Sequence, residues 1–189
     1  MAKSQRTAVV LVAAGRGLRA GAGGPKQYRE IGGVPVIYRA MEAFSRHADV
    51  FAVQPVVNPD DSAMFTAAVA GLSHEAPVNG GATRQASVLA GLEALARHKP
   101  DIVLIHDAAR PFVSEGVITR AIDAASRTGA AIPAVPVTDT IKITGENGNV
   151  EDTPDRAVAN RTDAAILSFR RHPRSASSCR QGRPQRFHR

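Results

Sequence analysis

The stretch Ala13–Tyr28, AAGRGLRAGAGGPKQY, constrains everything that follows in this chain. It succeeds the apolar run Thr7–Val12, which reads as a buried strand, and it holds five glycines, three basic residues and no acid. Glycines let backbone N–H groups approach a ligand closely. Arg16, Arg19 and Lys26 have no acid inside the loop to neutralise them. A strand feeding such a loop suits phosphate, the plainer alternative being a basic surface loop. Two familiar phosphate motifs fail here. Gly15-x-Gly17-x-x-Ala20 has the dinucleotide spacing, but Gly21, Gly23, Gly24 and Pro25 leave no helix to open on it. The Walker pattern needs Gly-Lys-Ser/Thr, and Lys26 stands between Pro25 and Gln27.

Downstream, apolar runs alternate with helical spacing. The pattern predicts a helix over Val36–Ser45, a strand over Val50–Val57 and a helix from Asp60 or Asp61 to Val69. A glycine turn spans Pro77–Thr83, and a helix spans Arg84–Arg97 with Val88, Leu89, Leu92 and Leu95 on one face. A buried strand follows at Ile102–Ile105, then a helix from Ser114 to Arg127 and a proline-broken strand over Ala130–Val137. Asn147-Gly148 marks a hairpin between Thr140–Thr144 and Asn149–Asp152. Strands alternating with helices imply an α/β domain with a mainly parallel sheet.

The net charge of +7 would suit a nucleic-acid binder, but its distribution argues otherwise. Residues 1–155 carry 15 Lys+Arg and 16 Asp+Glu, whereas residues 156–189 carry nine arginines and one aspartate. The basicity lies in the tail, so the folded part is not expected to bind nucleic acid. No apolar run is long enough to span a membrane, and no signal-like core opens the chain, so the expected compartment is the cytoplasm. The lone Cys179 excludes an internal disulfide framework.

In parallel sheets, ligands bind beyond the carboxyl ends of the strands. The first strand delivers the glycine loop there, and the strand at Ile102–Ile105 delivers His106-Asp107-Ala108-Ala109-Arg110-Pro111. Asp107 beside a phosphate loop is placed to hold Mg²⁺; alone, it equally suits a turn cap or a partner for Arg110. His106 reads as a satisfied strand-end residue. Asn79-Gly80-Gly81-Ala82 with Ser87 forms either a second ligand edge, whose backbone groups read a flat base, or a plain loop before a helix.

VLVAAGRGLRAGAGGPKQYREIGGVPVI, GGATRQASVLAGL, VLIHDAARPFV, PVTDTIKI and TPDR, in this order, resemble the 2-C-methyl-D-erythritol 4-phosphate cytidylyltransferase family of the non-mevalonate isoprenoid pathway. The likeness covers about residues 6–156. It implies a Rossmann-like three-layer nucleotidyltransferase fold, with a protruding β-hairpin arm at about residues 138–156. The implied reaction joins CTP to 2-C-methyl-D-erythritol 4-phosphate with loss of pyrophosphate. By the resemblance, Arg19 and Lys26 are catalytic, Ala13, Ala14, Gly15, Gly81, Ser87 and Asp107 bind the nucleotide, and Asp107 holds Mg²⁺. Thr140 and Arg156 bind the acceptor, through an arm that makes a homodimer. A transferase for another polyol or sugar phosphate, and an inactive CTP-binding remnant, are the rival readings.

After TPDR the resemblance stops, and arginine and serine accumulate. Codons permitted for Asn160–Cys179, read one base later, can spell TGQTPQSFRFDAILEAHRRA, which resembles the family's continuation. The expectation is a nucleotidyltransferase domain over 1–159, incomplete at its C-terminal end, and a disordered, out-of-frame basic tail over 160–189. Within that tail, Ala164–Phe169 reads as a stub of helix. Some relatives of this flavour carry a fused cyclodiphosphate synthase domain, and nothing of that domain is legible here.

Overall fold

A computed structural model describes residues 5–15, 24–157, 159–162 and 166–170. The first strand, β1 (Thr7–Ala13), is followed by a single 3-10 turn (Lys26–Tyr28) and a small hairpin of β2 (Glu30–Ile31) and β3 (Val34–Pro35). Helix α1 (Val36–Ser45), β4 (Val50–Val57), α2 (Ser62–Ala68), β5 (Val78–Asn79) and α3 (Arg84–Leu95) come next. Then β6 (Ile102–Asp107), α4 (Glu115–Thr128), β7 (Ala130–Ala131) and β8 (Val135–Pro136) lead to the hairpin β9 (Ile143–Thr144) and β10 (Val150–Asp152). The last described elements are β11 (Asn160–Arg161) and β12 (Ile166–Arg170).

Six strands form one sheet in the order β5-β4-β1-β6-β12-β7. β5, β4, β1 and β6 run parallel, while β12 is antiparallel to β6. Because strand side chains alternate, each face of the sheet buries its own core. Val9 and Leu11 join Ile37, Met41 and Phe44 of α1 and Ile118 and Ile122 of α4 on one face. Ala8 and Val10 join Leu95 of α3, with Val88 and Leu92 packed beside it, on the other. The result is the expected three-layer, Rossmann-like α/β fold.

Three departures have clear physical causes. Leu89 is not on the packed face of α3: it is 56% exposed, and Ser87, Gly91 and Leu95 are buried instead. A Cβ on Gly91 would stand 2.5 Å from Val10 Cγ1 and 2.8 Å from Val56 Cγ2, so the helix lies against the sheet through its glycine. The strand expected over Ala130–Val137 splits into β7 and β8, with Pro133 between them, since proline cannot donate to a ladder.

The tail differs most. Ala164–Phe169 was expected to be helical, yet Ile166–Arg170 is a strand inside the main sheet. Ile166 and Ser168 are fully buried while Leu167 is 42% exposed, a period of two that a strand satisfies and a helix does not. The Ser168 hydroxyl lies 2.9 Å from the Ala131 carbonyl and 3.1 Å from that of Ala121, which is how a polar residue is tolerated there. The expected disorder is thus corrected for residues 160–161 and 166–170; residues 171–189, including Cys179, lie outside the described residues. No helix among the described residues is long and apolar enough to cross a membrane.

Candidate active site

The parallel strands β1, β4 and β6 end side by side, and a cavity of about 550 Å³ opens beyond them. Ala13, Ala14 and Gly15 reach it from the end of β1, and Asp107 from the end of β6. Gly81, Arg84 and Ser87 reach it from the start of α3, and Lys26 from the turn after the glycine loop.

Gln27 sets the loop's base. It is 2% exposed, and its Nε2 donates to the Ala13 carbonyl at 2.7 Å and to the Gly15 carbonyl at 3.1 Å. One amide therefore clips the end of β1 to the segment carrying Lys26. The neighbouring Tyr28 packs against the core, and burial, helped by the Asp61 charge, holds its phenol well above the usual range.

The opposite wall is equally built. Thr83 caps α3, its hydroxyl accepting from the Ala86 N–H at 3.1 Å. The buried Ser87 hydroxyl accepts from the Gly81 N–H at 3.1 Å and donates to the Thr83 carbonyl at 3.0 Å. Ser87 therefore shapes the Gly81 loop as well as lining the cavity. A Cβ on Gly80 would collide with the Ala14 side chain, so this glycine lets the two cavity walls meet.

Asp107 is half-buried and is the only acid lining the cavity among the described residues. Arg84 binds its Oδ1 through Nε at 3.1 Å and Nη2 at 2.9 Å, and Arg110 Nε lies 3.9 Å from Oδ2. No cluster of three or more His, Cys, Asp or Glu residues able to hold a metal occurs among the described residues. A single hard carboxylate matches Mg²⁺ that takes its remaining ligands from phosphates and water. His106 is fully buried, with Nε2 2.9 Å from the Arg110 carbonyl and its ring 4.9 Å from that of Phe44. It is engaged as a structural strand-end residue.

The comparison with known families decides the relationship, since residues 7–164 match IspD, described as 2-C-methyl-D-erythritol 4-phosphate cytidylyltransferase. The chain belongs to this family. It is 92% identical over 157 residues to the bifunctional enzyme IspD/IspF of Bradyrhizobium diazoefficiens, covering 83% of this chain and 39% of that protein. A Nitrobacter winogradskyi enzyme of the same description is 70% identical over the same length. The chain spans about two fifths of the length of these curated relatives. Among solved structures, 4-diphosphocytidyl-2C-methyl-D-erythritol synthase from Anaerococcus prevotii matches with a TM-score of 0.77 at 28% identity, over 88% of this chain and 70% of that one. The 2-C-methyl-D-erythritol 4-phosphate cytidylyltransferase of Thermus thermophilus matches with a TM-score of 0.59 at 30% identity, over 87% and 70%.

Of the site residues expected from the cytidylyltransferase resemblance, Ala13, Ala14, Gly15, Lys26, Gly81, Ser87 and Asp107 all line the one cavity. Arg19 lies outside the described residues. Thr140 and Arg156 are exposed and do not line this cavity. Arg156 instead donates to the Thr138 carbonyl at 3.4 Å, across the base of the β9–β10 hairpin. The sequence pattern does not mark Gln27 and Arg84 as site residues, although both stand inside motifs that carry the resemblance. Their partners are 14 and 23 positions away, so spacing alone does not reveal them.

Proposed function

We propose that the chain transfers CMP from CTP to 2-C-methyl-D-erythritol 4-phosphate, giving 4-diphosphocytidyl-2-C-methyl-D-erythritol and pyrophosphate. The observation that carries this reading is the convergence of a lysine, a small-residue strand end, a Gly81–Ser87 edge and one carboxylate on a single cavity. Membership of the family supports it.

In the proposed reaction a phosphate oxygen of the acceptor attacks the α-phosphorus of CTP. The new P–O bond forms as the α–β bridge breaks, and the electron pair leaves on pyrophosphate. An ionised phosphate needs no proton removed, which agrees with His106 being engaged elsewhere. Catalysis is then positioning plus charge stabilisation. Lys26, joined by Arg19, neutralises the extra charge at the α-phosphate. The Ala13–Gly15 backbone holds the nucleotide, and Gly81 with Ser87 recognises the base. Asp107 is the residue that would hold Mg²⁺, which when bound offsets the repulsion between phosphates.

Thr140 and Arg156 are proposed to meet the acceptor from the arm of a partner subunit in a homodimer. The arm supports this: every residue of β9 and β10 is exposed, Ile143 and Val150 among them. The proposed compartment is the cytoplasm. For the tail we propose a change of reading frame near residues 157–160. A relative at 92% identity over 157 residues and a family match ending at 164 both support it. Gene sequencing through this stretch tests it, and codons that do not spell the shifted run refute it.

The activity test uses the purified full chain with CTP, Mg²⁺ and the acceptor, followed by ³¹P NMR. The expected result is equimolar pyrophosphate and a new diphosphate diester. Lys26→Met should lower kcat by about 10²–10³. CTP left intact, CMP formed equally well without acceptor, or a different polyol phosphate used in preference would each refute the assignment.

A further inference from the structure

Arg84 occupies the first position of α3, and its guanidinium crosses the cavity mouth to Asp107. Both Nε and Nη2 fall on the same oxygen, Oδ1, at 3.1 and 2.9 Å. Arg110 approaches Oδ2 at 3.9 Å from the other side. The only carboxylate lining the cavity among the described residues is therefore already engaged by guanidinium at Oδ1. A guanidinium and a divalent cation compete for the same carboxylate lone pairs. The arginine has somewhere better to go: a triphosphate offers it charged oxygens that match its fork, in the same cavity.

The geometry points to a partner exchange at this site. Before nucleotide binds, Arg84 guards Asp107. When a nucleoside triphosphate enters with its divalent cation, Arg84 transfers to a phosphate oxygen and Oδ1 is released to the metal. The site therefore takes the metal–triphosphate complex and discriminates against the free cation. Arg84 acts as a positioning residue for Asp107 and then as a phosphate contact. The exchange deepens the proposed reaction of this same cavity and rests on it.

The favoured geometry carries opposite signs for two ligands, which a merely structural arginine would not produce. Both residues are partly exposed, 56% and 31% for their side chains, so the competition is modest. Manganese stands in for magnesium in titrations of the full chain, with free cation followed by electron paramagnetic resonance and CTP binding by calorimetry. Arg84→Gln is expected to bind free Mn²⁺ about threefold tighter. It should bind the manganese–CTP complex about tenfold more weakly. Arg84→Lys should recover part of the nucleotide affinity, and in an Asp107→Asn background Arg84→Gln should no longer tighten Mn²⁺ binding.

Free Mn²⁺ affinity that is unchanged or weakened in Arg84→Gln, while the wild type binds manganese–CTP, overturns the exchange alone. Tighter Mn²⁺ with undiminished nucleotide affinity overturns it too. A wild-type chain that binds no manganese–CTP overturns both the exchange and the reaction proposed above.

Discussion

Gln27→Met is the substitution that most sharply separates a built phosphate loop from a fortuitous one. Methionine keeps the length and the apolar stem of glutamine but removes both amide donors. The two lost bonds, at 2.7 and 3.1 Å, hold the carbonyls of Ala13 and Gly15. At the usual net value of about 1 kcal/mol each, the loss is about 2 kcal/mol. The carbonyls then diverge. Gly15 is exposed and water can replace the amide, whereas Ala13 is 2% exposed and its oxygen stays dry. Leaving that acceptor unmet adds roughly 1–2 kcal/mol, for a total of about 3–4 kcal/mol. A protein of this size loses about 2–4 °C of melting temperature per kcal/mol, so calorimetry should show a fall of about 6–16 °C. Nucleotide affinity reports the second consequence. The clip fixes Lys26 relative to the Ala13–Gly15 backbone, and mis-setting it by about 1.4 kcal/mol would weaken CTP binding about tenfold. Gln27→Glu should be worse than Gln27→Met, because carboxylate oxygens would face both carbonyls. A Gln27→Met chain that melts within about 2 °C of wild type and binds CTP within about twofold would refute the reasoning.

Three further outcomes follow from the packing and the charges. Gly91→Ala should cost about 1–3 kcal/mol and weaken CTP binding, because the added Cβ meets two stiff valines and pushes the α3 N-terminus off the cavity; denaturant melts with calorimetric titration check it. Ile166→Ala should cost about 2–4 kcal/mol in the same melts, a loss expected of a residue packed in the core and not of one in an exposed tail. Arg97, hydrogen-bonded to Glu75, holds its carboxyl below the ordinary value of 4.5, with burial opposing and His98 assisting. Because the folded-state value is the lower one, this stabilisation is complete above 4.5 and is lost as pH falls below it. Melts between about pH 3 and 6 should therefore show a shallower acid limb for Glu75→Gln than for wild type.

How much of this was legible in the chain depends on how local each cause is. α1 and β4 occupy the residue ranges that their apolar spacing predicts, because each buries a continuous stripe. β5 escaped notice, since two residues carry no period and it forms only by pairing with the end of β4. β12 escaped because Ser168 interrupts its apolar pattern, and the two carbonyls that make a buried serine tolerable lie 47 and 37 positions earlier. Leu89 misled because helical spacing assumes that the bulkiest face packs, whereas α3 packs through Gly91. The cavity wall is legible where a motif carries its own chemistry, as with Lys26 and Asp107, which both line it. It is illegible where a side chain such as Gln27 acts only through a distant backbone.

The claim on which the account turns is that CTP occupies the cavity at the ends of β1, β4 and β6. A second and larger cavity, of about 640 Å³, lies on the other side of Ala109 and is lined by Phe112, Val117 and Ile132. Backbone amide shifts recorded by NMR while CTP and Mg²⁺ are added distinguish the two. With CTP in the cavity at the strand ends, the saturating shifts should fall on Ala13–Gly15, Lys26, Gly81, Ser87 and Asp107. Shifts confined to Phe112, Val117 and Ile132 would contradict it.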